Sequence, residues 1–254
     1  MVDSIFLSRI VIHSDWIPFL VKENLDLLKV IESEVVKDDF TPGADKVLRF
    51  LTVPLQNVKV IIIGQDPYPQ PGIATGRAFE VGNLKSWTQP FKNVSLKNIL
   101  RAIYKTYTGE VITYNMLKEK LYGDFPVLPP DQLFESWEKQ GVLLLNTSFT
   151  CIAGNPGSHQ KHWEVFSKLL LKFISCQKPD INWFIWGDHA LNTTRDLKLQ
   201  KCFISKHPMM CFNKPDREKD FLYGQTNCFK SLMHEINWTG FPFEGCRKTQ
   251  YKLF

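Results

Sequence analysis

The sequence predicts a three-layer α/β/α sandwich around a short, mainly parallel central sheet, and three observations lead there. Short apolar runs of strand length recur along the chain, segments of helical character lie between them, and a polar cluster follows each run.

The runs are Val58 to Ile63, Val142 to Leu145, Trp183 to Trp186 and Cys202 to Ile204. Being continuously apolar and rich in β-branched or aromatic residues, they suit strands buried on both faces. The segments Leu96 to Tyr107, Asp131 to Gln140 closed by Gly141, and Trp163 to Ile174 read as helices. Strand and helix therefore alternate, and in sheets built this way ligands bind at the carboxyl ends of the strands. Those ends carry Gly64-Gln-Asp-Pro-Tyr68, Asn146-Thr-Ser148, Gly187-Asp-His189 and Ser205-Lys-His-Pro208. Loops are generally polar, but four such clusters converging on one edge suggest a site.

Size and composition agree with one unit. The 254 residues are 44% hydrophobic, enough apolar material for one sizeable core, and neither repeats nor long linkers divide them. One domain over residues 1–254 is expected. The formal net charge of +5 permits a nucleic-acid partner without requiring one. No signal sequence and no apolar stretch of membrane-spanning length is found, which predicts a soluble, intracellular protein without a membrane partner. The six cysteines, Cys151, Cys176, Cys202, Cys211, Cys228 and Cys246, include no CxxC pair, so neither a zinc nor an iron–sulfur site is expected. They read as structural thiols; Cys202, inside an apolar run, is expected to pack as a small core residue.

Taken alone, each polar cluster has an ordinary explanation. Asp66 could cap a helix, Tyr68 and Phe79 could pack in the core, Asn146 could be a buried structural amide, and His207 could stand in a surface loop. The wider strings change this reading. Val58 to Tyr68, followed by Gly72, Ala74, Gly76 and Ala78-Phe79, closely resembles the water-activating motif of the family 1 uracil-DNA glycosylases. Gly141-Val-Leu-Leu-Leu-Asn146 with Thr150 resembles the family's uracil-reading strand, Ser158-His159 with Trp163 its second phosphate-binding loop, and His207-Pro208 the start of its DNA-intercalation loop. The blocks keep family order. Pro54-Leu55, Phe221, Gly224, Phe229 and Trp238 extend the resemblance over most of the chain, and the ordered combination is more specific than any one motif.

The resemblance implies hydrolysis of the N-glycosidic bond of uracil in DNA without cofactor or metal, giving free uracil and an abasic site. Breaking that bond leaves positive charge on the sugar and negative charge on the departing base, so an anion and hydrogen-bond donors are both needed. By resemblance, Asp66 positions the attacking water and stabilises the sugar cation, while a neutral His207 donates to uracil O2. Asn146 has the donor and acceptor that the O4 and N3–H edge requires. Phe79 stacks on the base, Tyr68 occupies the place of a thymine methyl, and Gln65 completes the uracil-binding set. Ser95 and Ser158 match family serines that bind phosphates, which positions DNA without reading its sequence; Ser95 also stands where it could cap a helix. Pro208, Met209, Met210, Cys211 and Phe212 form the DNA-intercalating segment, in which Met210 or Phe212 is expected to replace the family's leucine wedge.

Three departures stand out. Pro69 replaces a histidine, a change that resembles the poxvirus branch of the family, Arg77 replaces a leucine, and Met209 to Phe212 replaces a serine-rich loop. They keep two other readings open: a glycosylase for a different base, and a DNA-binding or replication accessory protein on the same fold. A nucleotide-cofactor enzyme is disfavoured, since neither a Rossmann fingerprint nor a P-loop follows the first strand. The expected partners are uracil-containing DNA, single- or double-stranded, and a protein inhibitor of such glycosylases. The expected state is a monomer.

Overall fold

A computed structural model describes residues 4–211 and 217–242. In chain order its strands are β1 (Phe40–Thr41), β2 (Val60–Gly64), β3 (Val142–Asn146), β4 (Cys151–Ile152), β5 (Asn182–Trp186) and β6 (Lys201–Ser205). Its α-helices are α1 (Lys22–Val35), α2 (Ala44–Val47), α3 (Val94–Thr108), α4 (Tyr114–Lys120), α5 (Pro130–Lys139), α6 (Gln160–Gln177), α7 (Asp188–Thr194) and α8 (Cys228–Leu232). The four predicted strands are β2, β3, β5 and β6, and the three predicted helices are α3, α5 and α6.

Those four strands form one parallel sheet in the order β3-β2-β5-β6. Successive residues of a strand point to opposite faces, and this alternation builds the layers. Val60, Ile62, Val142, Leu144, Phe184 and Trp186 enter one core with α3, α4, α5 and α8. Ile61, Ile63, Leu143, Leu145, Trp183 and Ile185 enter a second core with α1 and α6. Every residue of β2, β3 and β5 is buried, as expected of strands covered on both faces.

β6 departs from the expectation. It is an edge strand with Lys201, Cys202 and Ile204 exposed, so Cys202 is a surface thiol and not a core residue. Cys176 is exposed as well, Cys211 is partly buried, and Cys151 and Cys228 are buried as structural thiols should be. Cys246 lies outside the described residues.

The topology locates a crevice. The chain leaves β2 toward β3 on one side of the sheet and leaves β5 toward β6 on the other, so the carboxyl ends of neighbouring β2 and β5 flank a switch point where the connections part. The loop beginning at Gly64 and the start of α7 meet there, with His189 near Asp66. Among the described residues no helix is long and apolar enough to cross a membrane, and no group of three or more His, Cys, Asp or Glu side chains is gathered as a metal site.

Candidate active site

The four polar clusters all emerge on one edge because all four strands run parallel. Hydrogen bonds then tie the loops in pairs: Thr147 N–H donates to the Gly64 carbonyl at 3.1 Å, Ser148 N–H to the Gln65 carbonyl at 2.9 Å, and Gly187 N–H to the Ser205 carbonyl at 2.8 Å. The sheet's order thus continues into the site.

Gly64 and Asn146 are register partners at the ends of β2 and β3. A Cβ on Gly64 would stand 2.3 Å from Asn146 Oδ1, so glycine is what leaves room for this buried amide. Phe79 sits nearby with a φ of 66°, a conformation costly for an aromatic residue and one that tends to occur where a side chain must be aimed. Its ring lies 5.5 Å from Trp186 and 6.1 Å from His207, centroid to centroid. The Tyr68 hydroxyl donates to the Phe79 carbonyl at 3.4 Å, and burial pushes the phenol up to about 12. Tyr68 is therefore a neutral, fixed wall at physiological pH.

Asp66 is partly buried. Its Oδ2 accepts from Gln160 Nε2 at 2.9 Å, while Oδ1 is buried without a hydrogen-bond partner among the described residues. Burial raises its pKa above the ordinary carboxylate value, opposed by Gln160, by nearby His189 and, to a lesser extent, by Ser148 and Gln65. His189 shares a 2.6 Å hydrogen bond with Thr147 Oγ1, and burial lowers its own pKa.

His207 has an identifiable tautomer. The backbone N–H of Met209 donates to its Nδ1 at 3.2 Å, so in the neutral ring the proton is on Nε2. Burial, and secondarily His189, lower its pKa, which keeps the ring neutral at physiological pH. An uncharged imidazole with a free Nε2–H is suited to donate to an oxygen that gains charge.

The expected DNA-contact residues fall on the rim. Helix α3 begins at Val94 with Asn93 at the N-cap, so Ser95 lies inside the first turn and is not the cap residue. Asn98, three residues on and so on the same helix face, donates to the Pro208 carbonyl at 2.7 Å and ties α3 to the segment after β6. Ser158 Oγ accepts from Ile152 N–H at 2.7 Å and donates to the Asn155 carbonyl at 2.8 Å. Its proton is thus engaged within the loop, and donating to a phosphate would require it to leave Asn155. Buried His159 secures the same loop through Thr150 Oγ1 at 2.9 Å and Asp38 Oδ2 at 3.2 Å. Met209 and Met210 are exposed, whereas Cys211 packs against the core with its thiol donating to the Pro208 carbonyl. Phe212 lies outside the described residues. Exposed Gln65 is placed by its backbone carbonyl, which accepts from Ser148 N–H, and its side chain helps to keep Asp66 ionised.

Sequence reading missed Gln160 and Asn98. Gln160 lies within the Ser158 to Trp163 string but carries no role in that resemblance, and only the fold brings it to Asp66. Asn98 left a faint signal, a polar residue amid an apolar helical pattern. Arg77 has a different explanation from DNA grip or base choice: buried, it makes a two-pronged pair with Glu138, with Nε and Nη2 donating at 2.8 Å each, and Nη1 donates to buried Glu80 at 3.1 Å.

These features define an α/β enzyme whose site stands at the switch point of a parallel sheet and combines a carboxylate, a neutral imidazole and an amide beside an aromatic ring. The chain belongs to the uracil DNA glycosylase superfamily, whose family model matches residues 51–231. It is similar to the uracil-DNA glycosylase of Corynebacterium glutamicum, 30% identical over 211 residues that cover 78% of this chain and 80% of that one. It is also similar to the enzyme of Azotobacter vinelandii, 32% identical over 205 residues covering 80% and 76%. Among solved structures, the wild-type UNG of Nitratifractor salsuginis matches with a TM-score of 0.64 at 23% identity, covering 80% of this chain and 87% of that one. The Y322L variant of mimivirus UNG, in complex with UGI, matches with a TM-score of 0.62 at 23% identity over 80% and 72%.

Proposed function

We propose that this chain excises uracil from DNA as a monofunctional hydrolase, acting on a base turned out of the stack into the space between Tyr68, Phe79 and Asn146. Neither the edge nor the glycosidic bond of a stacked base can be reached in a duplex, so extrusion precedes chemistry. Phe79 stacks on the base, and the Asn146 amide pairs with O4 and N3–H. The Tyr68 ring excludes a 5-methyl group.

When the C1′–N1 bond breaks, its electron pair leaves with uracil and C1′ becomes cationic. The Nε2–H of His207 donates to O2 of the departing anion, and the Asp66 carboxylate stabilises the cation. Water then bonds to C1′ and gives up a proton, with Asp66 as its first acceptor. The observation that carries this reading is the Met209 N–H bond to His207 Nδ1, because it puts the ring proton on the atom that must donate. Ser95, and Ser158 once its hydroxyl leaves Asn155, hold phosphates, and the exposed methionines after Pro208 enter the vacated stack.

The substrate is uracil-containing DNA in the compartment that holds it, and a protein inhibitor of the UGI kind is a further partner. Oligonucleotides matched except for a single U, T, C or modified cytosine, incubated without added metal, test the reading. Alkali-labile abasic sites should form at U and not at T or C. Cleavage at another base in preference to U would refute it.

A further inference from the structure

The Asp66 carboxylate is supported from behind by a helix that contributes nothing to the base pocket. Gln160 is the first residue of α6, and its Nε2 donates to Oδ2 at 2.9 Å. Pro69, just downstream of Asp66, has no side chain able to hydrogen-bond. A cleft of about 370 Å³ opens between α6 and α7, with Ser148, Gln160 and His189 among its lining residues.

We propose that Gln160 is a positioning residue for Asp66: by binding Oδ2 it fixes the carboxylate plane and leaves Oδ1 for the reacting water and sugar cation. The inference rests on the reading of Asp66 as the catalytic carboxylate. The Gln160 bond restricts rotation of a carboxylate that Ser148 and Gln65 assist to a lesser extent, and small losses of alignment are costly in rate. Donation from Gln160 also favours the ionised form, against burial that disfavours it. The titratable groups facing Asp66 are His189 of α7 and Cys151 of β4. Cys151 is a neutral thiol, pushed by burial up to about 11, which leaves His189 as the other group able to alter the acid limb.

The test uses single-turnover excision from a uracil duplex as a function of pH. Gln160→Met keeps the length and removes the donor; Gln160→Glu replaces the donor with a group that repels the carboxylate when ionised. Gln160→Met should lower the plateau rate about tenfold, move the acid limb to higher pH, and leave DNA affinity unchanged. Gln160→Glu should move the limb further. Both shifts should persist in a His189→Gln background. Unchanged plateau and limb in both variants, with melting temperatures near that of the parent protein, would overturn the proposal, as would a loss confined to DNA affinity. Asp66→Asn serves as the control: if it is inactive while the Gln160 variants behave like the parent, the proposal alone fails, and if Asp66→Asn is fully active, the catalytic reading beneath it fails.

Discussion

Gly187 and His207 are in contact across the ends of β5 and β6. A Cβ on Gly187 would stand 2.8 Å from the His207 Cβ and 3.4 Å from its Cα, and Gly187 adopts a φ of 86°. Its ψ of 171° completes a combination open essentially to glycine alone. The histidine is thus seated against bare backbone, and the Gly187 N–H bond to the Ser205 carbonyl sets the distance between the two loops.

Gly187→Ala should therefore damage chemistry more than binding. The methyl group must push His207 away, and a misplacement of about 1 Å at a reacting group costs about 10²-fold in rate. Backbone strain adds a loss of about 1–3 kcal/mol in stability. Single-turnover rates and DNA affinity, measured together, check this; a variant with the parent rate would show that His207 tolerates displacement.

Arg77 should prove structural. Arg77→Leu restores the residue type expected from the family pattern but leaves Glu80 buried without its cation, and breaking a buried pair in this way costs about 3–5 kcal/mol. Denaturant unfolding should show that loss, and adding Glu80→Gln should recover part of it because no buried charge remains there. Base selectivity should not change, since the guanidinium faces Glu138 and Glu80. Altered selectivity in Arg77→Leu would place the residue in substrate recognition after all.

The sheet was legible because its strands are buried on both faces and so read as unbroken apolar runs, each followed by its polar cluster. β6 misled because an apolar run does not reveal whether a second layer covers it; at the sheet edge Cys202 and Ile204 face outward. Asp66, Asn146 and His207 were legible as residues at strand ends, where pattern and topology coincide. Gln160 was not, because its position depends on how α6 lies against the β2 loop, and no periodicity encodes a contact across 94 residues. Nor could sequence anticipate that the Ser158 proton is taken by Asn155, since that depends on the closure of a turn.

Asp66→Asn should lose most activity, about 10²–10⁴-fold, while changing stability in a pH-dependent way. The folded-state pKa of Asp66 is raised by burial, so the fold favours the neutral acid. Its contribution to the parent protein's stability is present below the unfolded-state pKa and is lost as pH rises through the folded-state pKa. Asparagine does not titrate. The melting temperature of the variant minus that of the parent should therefore increase as pH rises above the ordinary carboxylate value of about 4. A difference independent of pH would show that Asp66 ionises as easily in the fold as in the unfolded chain.

The exposed methionines should matter on duplex DNA and little on single strands. Extruding a base costs a few kcal/mol, which an apolar side chain inserted into the stack can offset. Cys211 is short and packed against the core with its thiol on the Pro208 carbonyl. Met209 and Met210 instead stand 56% and 46% exposed at the end of a loop anchored by Asn98. A methionine can adapt its unbranched chain to a distorted step, and burying such a side chain gives about 1.5–3 kcal/mol. Truncating Met209 and Met210 together to alanine should thus slow excision from duplex uracil tenfold or more, on the order of that burial energy. Excision from single-stranded uracil should fall far less, because less stacking is broken, and the melting temperature should hardly move, because neither side chain is in the core. Equal losses on the two substrates, accompanied by a lowered melting temperature, would instead assign the pair to packing of the loop.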